Sequence, residues 1–226
     1  MADLLLDWRR RLYLRRAEDN ALRDYLQAPL PSRASDYRQV EYLAVDLETT
    51  GLDATKDQIL SIGWVMVRGN HIDLGSARHQ LLRCRGDIPA TSAVIHQITD
   101  DQAATHGIEL ARAMPNLLHD LRGRVLLAHH AKVERGFLGA ACRRLYGLGL
   151  PVRTVDTQIL ARRTFERRST PFKASDLRLH ALCERYNLPR HGAHNAFLDA
   201  LAAAELFLAQ TAHRDNGSGF RLRELL

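Results

Sequence analysis

The stretch LAVDLETTGLD, residues 43–53, decides how this chain is read. It begins as an apolar strand, yet Asp46 and Glu48 interrupt it with only Leu47 between them. A charge inside a core strand is costly unless something pairs with it. Side chains alternate across a strand, so Asp46 and Glu48 share one face while Leu43, Val45 and Leu47 supply core on the other. Thr49, Thr50 and Gly51 then turn the chain. Two carboxylates on one face at a strand end form a hard-oxygen site suited to Mg2+ or Mn2+. Alone, a D-x-E pair more often marks a solvent-facing edge strand with incidental charges. Its meaning rests on what the rest of the chain places beside it.

The chain has 226 residues, enough for one large domain or a domain with an appendage. Hydrophobic residues make up 46%, ample for a core, and the formal net charge is +6. That balance suits a polyanionic partner such as nucleic acid, and equally a merely soluble basic protein. Cys84, Cys142 and Cys183 are odd in number, widely spaced and form no C-x-x-C. They argue against a disulfide framework or a cysteine zinc site and fit a reducing cytosol. The opening MADLLLDWRRR has too short an apolar run for a signal peptide, and no window approaches a membrane span. The expectation is a cytoplasmic protein with no membrane partner.

Residues 1–38 stand apart as an N-terminal helical extension and linker. Leu5, Trp8 and Leu12 recur at helical spacing among Arg9, Arg10, Arg11, Arg15 and Arg16, which predicts that this apolar face packs on the domain. Ala28 to Ser35, with Pro31, reads as the linker. From residue 41 the period changes. Strands are expected at 42–48, 58–69 and 70–83, helices at 99–106 and 110–123, and a short strand at 124–130. A helix over 132–149, a strand over 152–157 and helices at 158–163, 175–188 and 196–212 follow. Strands first, then strands alternating with helices, predict an α/β fold: a mixed β-sheet flanked by helices. The main domain is expected over 39–213, with a C-terminal tail at 214–226.

Further acidic residues lie where apolar runs end or helices begin. Asp156 closes a strand in VDTQILAR, Glu134 follows one in HHAKVERGFL, and Asp199 lies five residues after His194 in HGAHNAFLDA. Sites in α/β sheets form at such ends. Taken singly each is weak, because a lone Asp at a helix start usually caps the helix.

Taken in order, these segments resemble the DEDDh 3′–5′ exonucleases of the ribonuclease H-like superfamily, which include the epsilon proofreading subunit of bacterial DNA polymerase III and oligoribonuclease. VDLETTGLD is similar to the first motif, and His194 and Asp199 meet the H-x4-D of the third. VDTQILAR resembles the strand and helix that support the site, and SAVIHQITDDQ resembles the segment lining the terminal-nucleotide pocket. The second motif departs: His130 stands for Asn, Val133 for Phe and Glu134 for Asp. Gln97 stands where glycine is common.

The resemblance implies a ribonuclease H-like fold and phosphodiester hydrolysis at nucleic-acid 3′ ends by two divalent cations, Mg2+ or Mn2+, about 3.5–4 Å apart. Asp46 would bridge both. Glu48 and Asp199 would complete one site, and Glu134 would reach the other through water. His194 would take the proton of the attacking water, which suits an imidazole of pKa near ~6.5. His96 and Ile98 would contact the terminal nucleotide, the backbones of Thr49 and Thr50 its 3′ hydroxyl, and Asp156 would support the site without binding metal. The implied partner is a single-stranded DNA or RNA end, with a DNA polymerase as the candidate protein partner; no oligomeric state follows. Two rival readings stand beside this one. The first is an RNA-trimming or oligonucleotide-degrading nuclease. The second is a non-catalytic nucleic-acid or polymerase-binding module whose second motif has decayed. Arg162, Arg163, Arg167, Arg168 and Lys173, interleaved with Phe165 and Phe172, read equally as a single-strand-binding patch or a solvated helix end.

Overall fold

The computed structural model describes residues 2–84, 86, 88–96, 98–192 and 194–226. Gln97, singled out above, lies outside the described residues. Five strands form one sheet: β1 (Glu41–Thr49), β2 (Ile59–Arg68), β3 (His71–Leu81), β4 (Val125–Ala128) and β5 (Thr154–Asp156), in the order β3-β2-β1-β4-β5. The first three run antiparallel as a meander, while β4 and β5 join parallel to β1. The helices are α1 (Ala2–Arg16), α2 (Ala21–Gln27), α3 (Ala90–His96), α4 (Asp100–His106), α5 (Leu110–Leu121), α6 (Lys132–Tyr146), α7 (Thr157–Arg167), α8 (Leu179–Arg185) and α9 (Ala196–Arg214). This is the mixed sheet flanked by helices that the alternating pattern predicts.

Alternation along β1 feeds two cores. Leu43, Val45 and Leu47 pack with Ile62 and Trp64 against the apolar stripe of α5, which is Ala113, Met114, Leu117, Leu118 and Leu121. Tyr42 and Ala44 face the other way, with Val65, Val67, Leu127, Ala204 and Phe207 beneath α9. Apolar side chains alone would continue that second face. Asp46 and Glu48 replace them at its end. The pairing explains why this is tolerated. β1 pairs with β4 only through Tyr42, Leu43 and Ala44, whereas its pairing with β2 runs on to Thr49. The acidic end of β1 therefore overhangs its parallel neighbour at the carboxyl end of the sheet, where α/β proteins open their clefts.

The N-terminal segment departs from its sequence pattern. α1 does not bury Leu5 and Trp8, which are 59% and 60% exposed; it buries Arg10. The Arg10 guanidinium donates to the carbonyls of Tyr25, Leu26, Ala28 and Pro151 and lies over the Tyr25 ring. Three of those carbonyls end α2, where a cation meets the negative pole of the helix. α2 itself buries Leu22, Tyr25 and Leu26 in the same core as β1 and α5. The tail folds back likewise: Leu222 and Leu225 are buried, and the backbones of Asp36 and Arg221 pair in an isolated antiparallel β-bridge.

The helix expected over 175–188 is split. Residues Ala174–Leu177 form a 3-10 turn, Arg178 is extended (φ −70°, ψ 148°), and α8 begins at Leu179. The Leu177 carbonyl is taken by the side chains of His129 and Gln158 instead of continuing a helical ladder. The Phe165 and Phe172 rings meet tilted, with centroids 5.3 Å apart, and Phe165 is buried with Leu177, Leu182 and Leu206. It is core, which removes the interleaved aromatic from the proposed single-strand patch.

Candidate active site

Three elements deliver the carboxylates to one cleft of about 250 Å3 at the end of β1. β1 brings Asp46 and Glu48. The first turn of α6 brings Glu134, and the first turn of α9 brings Asp199. Asp46, Glu48 and Asp199 each offer an oxygen within 4.8 Å of the others. Glu134 lines the same cleft but stands outside that tight trio. His194 lines the cleft too.

Local physics explains how α9 reaches in. Asn195 caps the helix by accepting from the amides of Phe197 and Leu198. Its first turn lies against Gly63 of β2, the residue paired with Asp46 across the sheet. A Cβ at Gly63 would fall 2.1 Å from the Phe197 nitrogen and 2.2 Å from the Ala196 carbonyl carbon. Only glycine lets the helix close enough for Asp199 to meet Asp46 and Glu48. Asp199 then accepts the His194 amide at 3.0 Å, which ties the loop to the site while His194 sits at φ 63°.

Asp156 holds the opposite wall. It accepts from the amides of Gln158 and Ile159 as the cap of α7, and from those of His130 and Ala131 at 3.1 and 2.9 Å. The second pair fixes the turn into α6, with His130 in the left-handed region at φ 62°, and so fixes Glu134. Asp156 does not line the cleft. His129, which the sequence reading did not weigh, adjoins it. Burial pushes its imidazole down to about 4. It is therefore neutral: Nε2–H donates to the Leu177 carbonyl at 2.9 Å and Nδ1 accepts the Thr157 hydroxyl at 2.8 Å. His180 was missed as well; its Nε2 stands 3.7 Å from Asp199 Oδ1. No local motif flags it, because α8 meets α9 only in the folded chain.

The cleft is electrostatically unbalanced. Burial raises the Asp46 carboxyl well above its usual range, and the charges of Glu134, Asp199 and Glu48 add to the effect. Burial pushes Glu134 up to about 8 and raises Asp199, with Glu48 second. Glu48 Oε1, Glu134 Oε2 and Asp199 Oδ1 are buried without a hydrogen-bond partner. Unsatisfied carboxylate oxygens facing one another have the chemistry of a cation cradle, so divalent metal fits these residues.

Of the remaining expected residues, Thr49 ends β1 with its hydroxyl on the Gly51 carbonyl. Thr50 is engaged internally. Its amide donates to the Gln58 carbonyl and its carbonyl accepts the Ser92 hydroxyl, so it braces the 50–58 loop. His96 and Ile98 line a second cavity of about 630 Å3, to which His194 also contributes. Ile98 is mostly core, packed with Leu60, Ile88 and Ala103. His194 thus stands between the carboxylate cleft and the histidine-lined cavity.

A five-stranded mixed sheet with carboxylates converging at the end of its central strand defines a nuclease domain of the ribonuclease H-like class. The sequence profile of RNase T-type exonucleases matches residues 43–207, and the chain belongs to that exonuclease family. It is therefore of the metal-dependent 3′–5′ exonuclease class, a group of phosphodiester hydrolases. The chain is 30% identical over 184 residues to the DNA polymerase III subunit epsilon of Treponema pallidum, covering 81% of this chain and 82% of that one. It is 28% identical over 174 residues to the PolC-type DNA polymerase III of Thermotoga maritima, covering 77% of this chain but only 12% of that polymerase. The fold superposes on E. coli Exonuclease I in complex with a 5cy-dT13 oligonucleotide with a TM-score of 0.68 at 14% identity, over 78% of this chain and 41% of that one. No helix among the described residues is long and apolar enough to cross a membrane.

Proposed function

We propose that this exonuclease domain releases nucleotides one at a time from single-stranded 3′ ends of DNA or RNA. Asp46, Glu48 and Asp199, with Glu134 on the opposite wall, would hold two divalent cations, Mg2+ or Mn2+. The observation that carries the reading is the meeting of Asp46, Glu48 and Asp199 within 4.8 Å, with buried oxygens left unpaired. When bound, the cations supply Lewis-acid activation of water and charge neutralisation at the scissile phosphate.

The chain's own residues do the rest. His194, exposed and lining the cleft beside the carboxylates, accepts the proton of the attacking water. Asp199 orients it by accepting its backbone amide. Asp156 acts at one remove, by fixing the turn that presents Glu134. The cavity lined by His96 and Ile98 receives the terminal nucleoside, so that its phosphate meets the carboxylates beside His194. A DNA polymerase is the proposed protein partner, supported by the likeness to an epsilon subunit over most of that subunit's length. A cytoplasmic setting is supported by three unpaired cysteines.

The test is a parallel digestion of 5′-labelled single-stranded DNA, single-stranded RNA and short oligomers with Mg2+ or Mn2+. A ladder of shortening products that EDTA abolishes is expected on at least one substrate. Intact substrates under every condition would reject the catalytic reading in favour of a binding module.

A further inference from the structure

A second constellation shares Glu48 with the carboxylate trio. Glu48, His96 and His194 place one ligand atom each within 4.8 Å of one another, a set distinct from the all-carboxylate trio. His96 Nδ1 touches Glu48 Oε2 but is not aligned to hydrogen-bond, and this nitrogen is buried with no hydrogen-bond partner. Glu48 is 4% exposed, and its other oxygen is equally unpartnered. The two imidazoles stand edge to face with centroids 6.0 Å apart. His96 ends α3 and His194 precedes α9, so the pair comes from two separate segments facing one buried carboxylate.

We propose that Glu48, His96 and His194 form a second metal site, selective for a borderline cation such as Zn2+, whose occupancy silences the nuclease. Donor chemistry separates the two sets. Carboxylates alone favour Mg2+ and Mn2+, whereas two imidazoles with a carboxylate suit Zn2+, in the three-ligand pattern that leaves a fourth position open. Glu48 belongs to both sets, so filling one depletes the other. An imidazole nitrogen bonded to zinc has no lone pair for a proton. The silencing, though not the binding, rests on His194 acting as the base in the function proposed above.

Zinc binding is measured without nucleic acid, by calorimetric titration of the full chain, with Co2+ as a spectroscopic reporter. Wild type should take up one equivalent of Zn2+ tightly. His96→Ala and His194→Ala should each weaken it by about 10–100-fold, the usual effect of disturbing a metal's ligand set. Asp46→Asn should leave it within a few-fold. Co2+ should shift the ring protons of His96 and His194 in the NMR spectrum, and circular dichroism confirms that each variant is folded. Zinc binding lost in Asp46→Asn but kept in the histidine variants, or Co2+ that leaves both ring signals unmoved, would overturn the site. In a separate arm, Zn2+ added to Mg2+-saturated enzyme should stop digestion in wild type and inhibit His96→Ala at least about tenfold less. Equal inhibition of the two would overturn the silencing while leaving the nuclease assignment intact.

Discussion

Replacing Glu134 by glutamine should stabilise the metal-free protein at alkaline pH, and the size of the gain follows from its burial. The Glu134 side chain is 2% exposed, and its carboxyl is pushed from 4.5 up to about 8. A carboxyl raised in the folded state binds protons there that the unfolded state has released. Its cost is therefore absent below the unfolded value, grows as pH rises between the two values, and is full above the folded one. For that interval the linkage relation gives a ceiling of about 4 kcal/mol near pH ~8 and under ~1 kcal/mol near pH ~5. Relaxation and water entry reduce the ceiling, and half of it, about 2 kcal/mol, is a reasonable working figure. Glutamine keeps the shape and removes the charge, which also relieves Asp46. In EDTA near pH ~8 the variant should melt roughly 4–8 °C above wild type, and near pH ~5 within about 2 °C of it. Saturating Mg2+ should raise the wild type by more than the variant, since the cation neutralises the charge that glutamine removes. Differential scanning fluorimetry reads all four conditions. A variant that melts below wild type in EDTA near pH ~8, or a gain of equal size at both pH values, would refute the claim that Glu134 is held in a charged, unbalanced cleft.

Other elements lend themselves to equally direct tests. Gly63→Ala should push the first turn of α9 away from β2, lower stability by about 3 kcal/mol or more, and reduce kcat in whatever fraction stays folded; a wild-type melting curve would contradict the close approach. Asp156→Ala strips a cap and two further amide partners, so a loss of about 2–3 kcal/mol is expected, with a fall in kcat and little change in KM. Asp156→Asn, which can still accept, should recover part of it. Arg10→Ala leaves the carbonyls at the end of α2 unpaired and should cost about 2–3 kcal/mol by urea denaturation, while Trp8→Ala on the same helix should cost under ~0.5 kcal/mol.

Much of the sheet could be read in advance because its signal is local. Alternation along residues 43–48 separates the core-facing leucines and valine from Asp46 and Glu48, and no other part of the chain is needed for that. The H-x4-D spacing of His194 and Asp199 is likewise local, since only the cap and first turn of α9 separate them. What escaped depends on elements that meet only after folding. Gly63 looks like a weak point inside an apolar strand, and its reason is the backbone of Ala196 and Phe197, more than a hundred positions away. His180 meets Asp199 across two helices. Arg10 looks like one of a row of solvated cations, and Trp8 like the anchor, whereas α1 packs Tyr13 and Leu14 on the core and buries the Arg10 guanidinium because open carbonyls at the end of α2 lie opposite it. Phe165 misled for the same reason: interleaving with arginines is also what a half-buried helix looks like in one dimension.

Asp46 lies at the centre of the cluster: it meets Glu48 and Asp199 within 4.8 Å and feels the charge of Glu134 as well. The most direct measurement is a single-turnover time course on 5′-labelled single-stranded substrate with saturating Mg2+ or Mn2+, comparing wild type with Asp46→Ala at matched folded concentration. Wild type should shorten the strand stepwise from its 3′ end, and Asp46→Ala should be slower by about three orders of magnitude or more, in line with losing several kcal/mol of transition-state stabilisation. A ladder that persists in Asp46→Ala at a rate near wild type would contradict the assignment of the cleft at the end of β1 as the catalytic site.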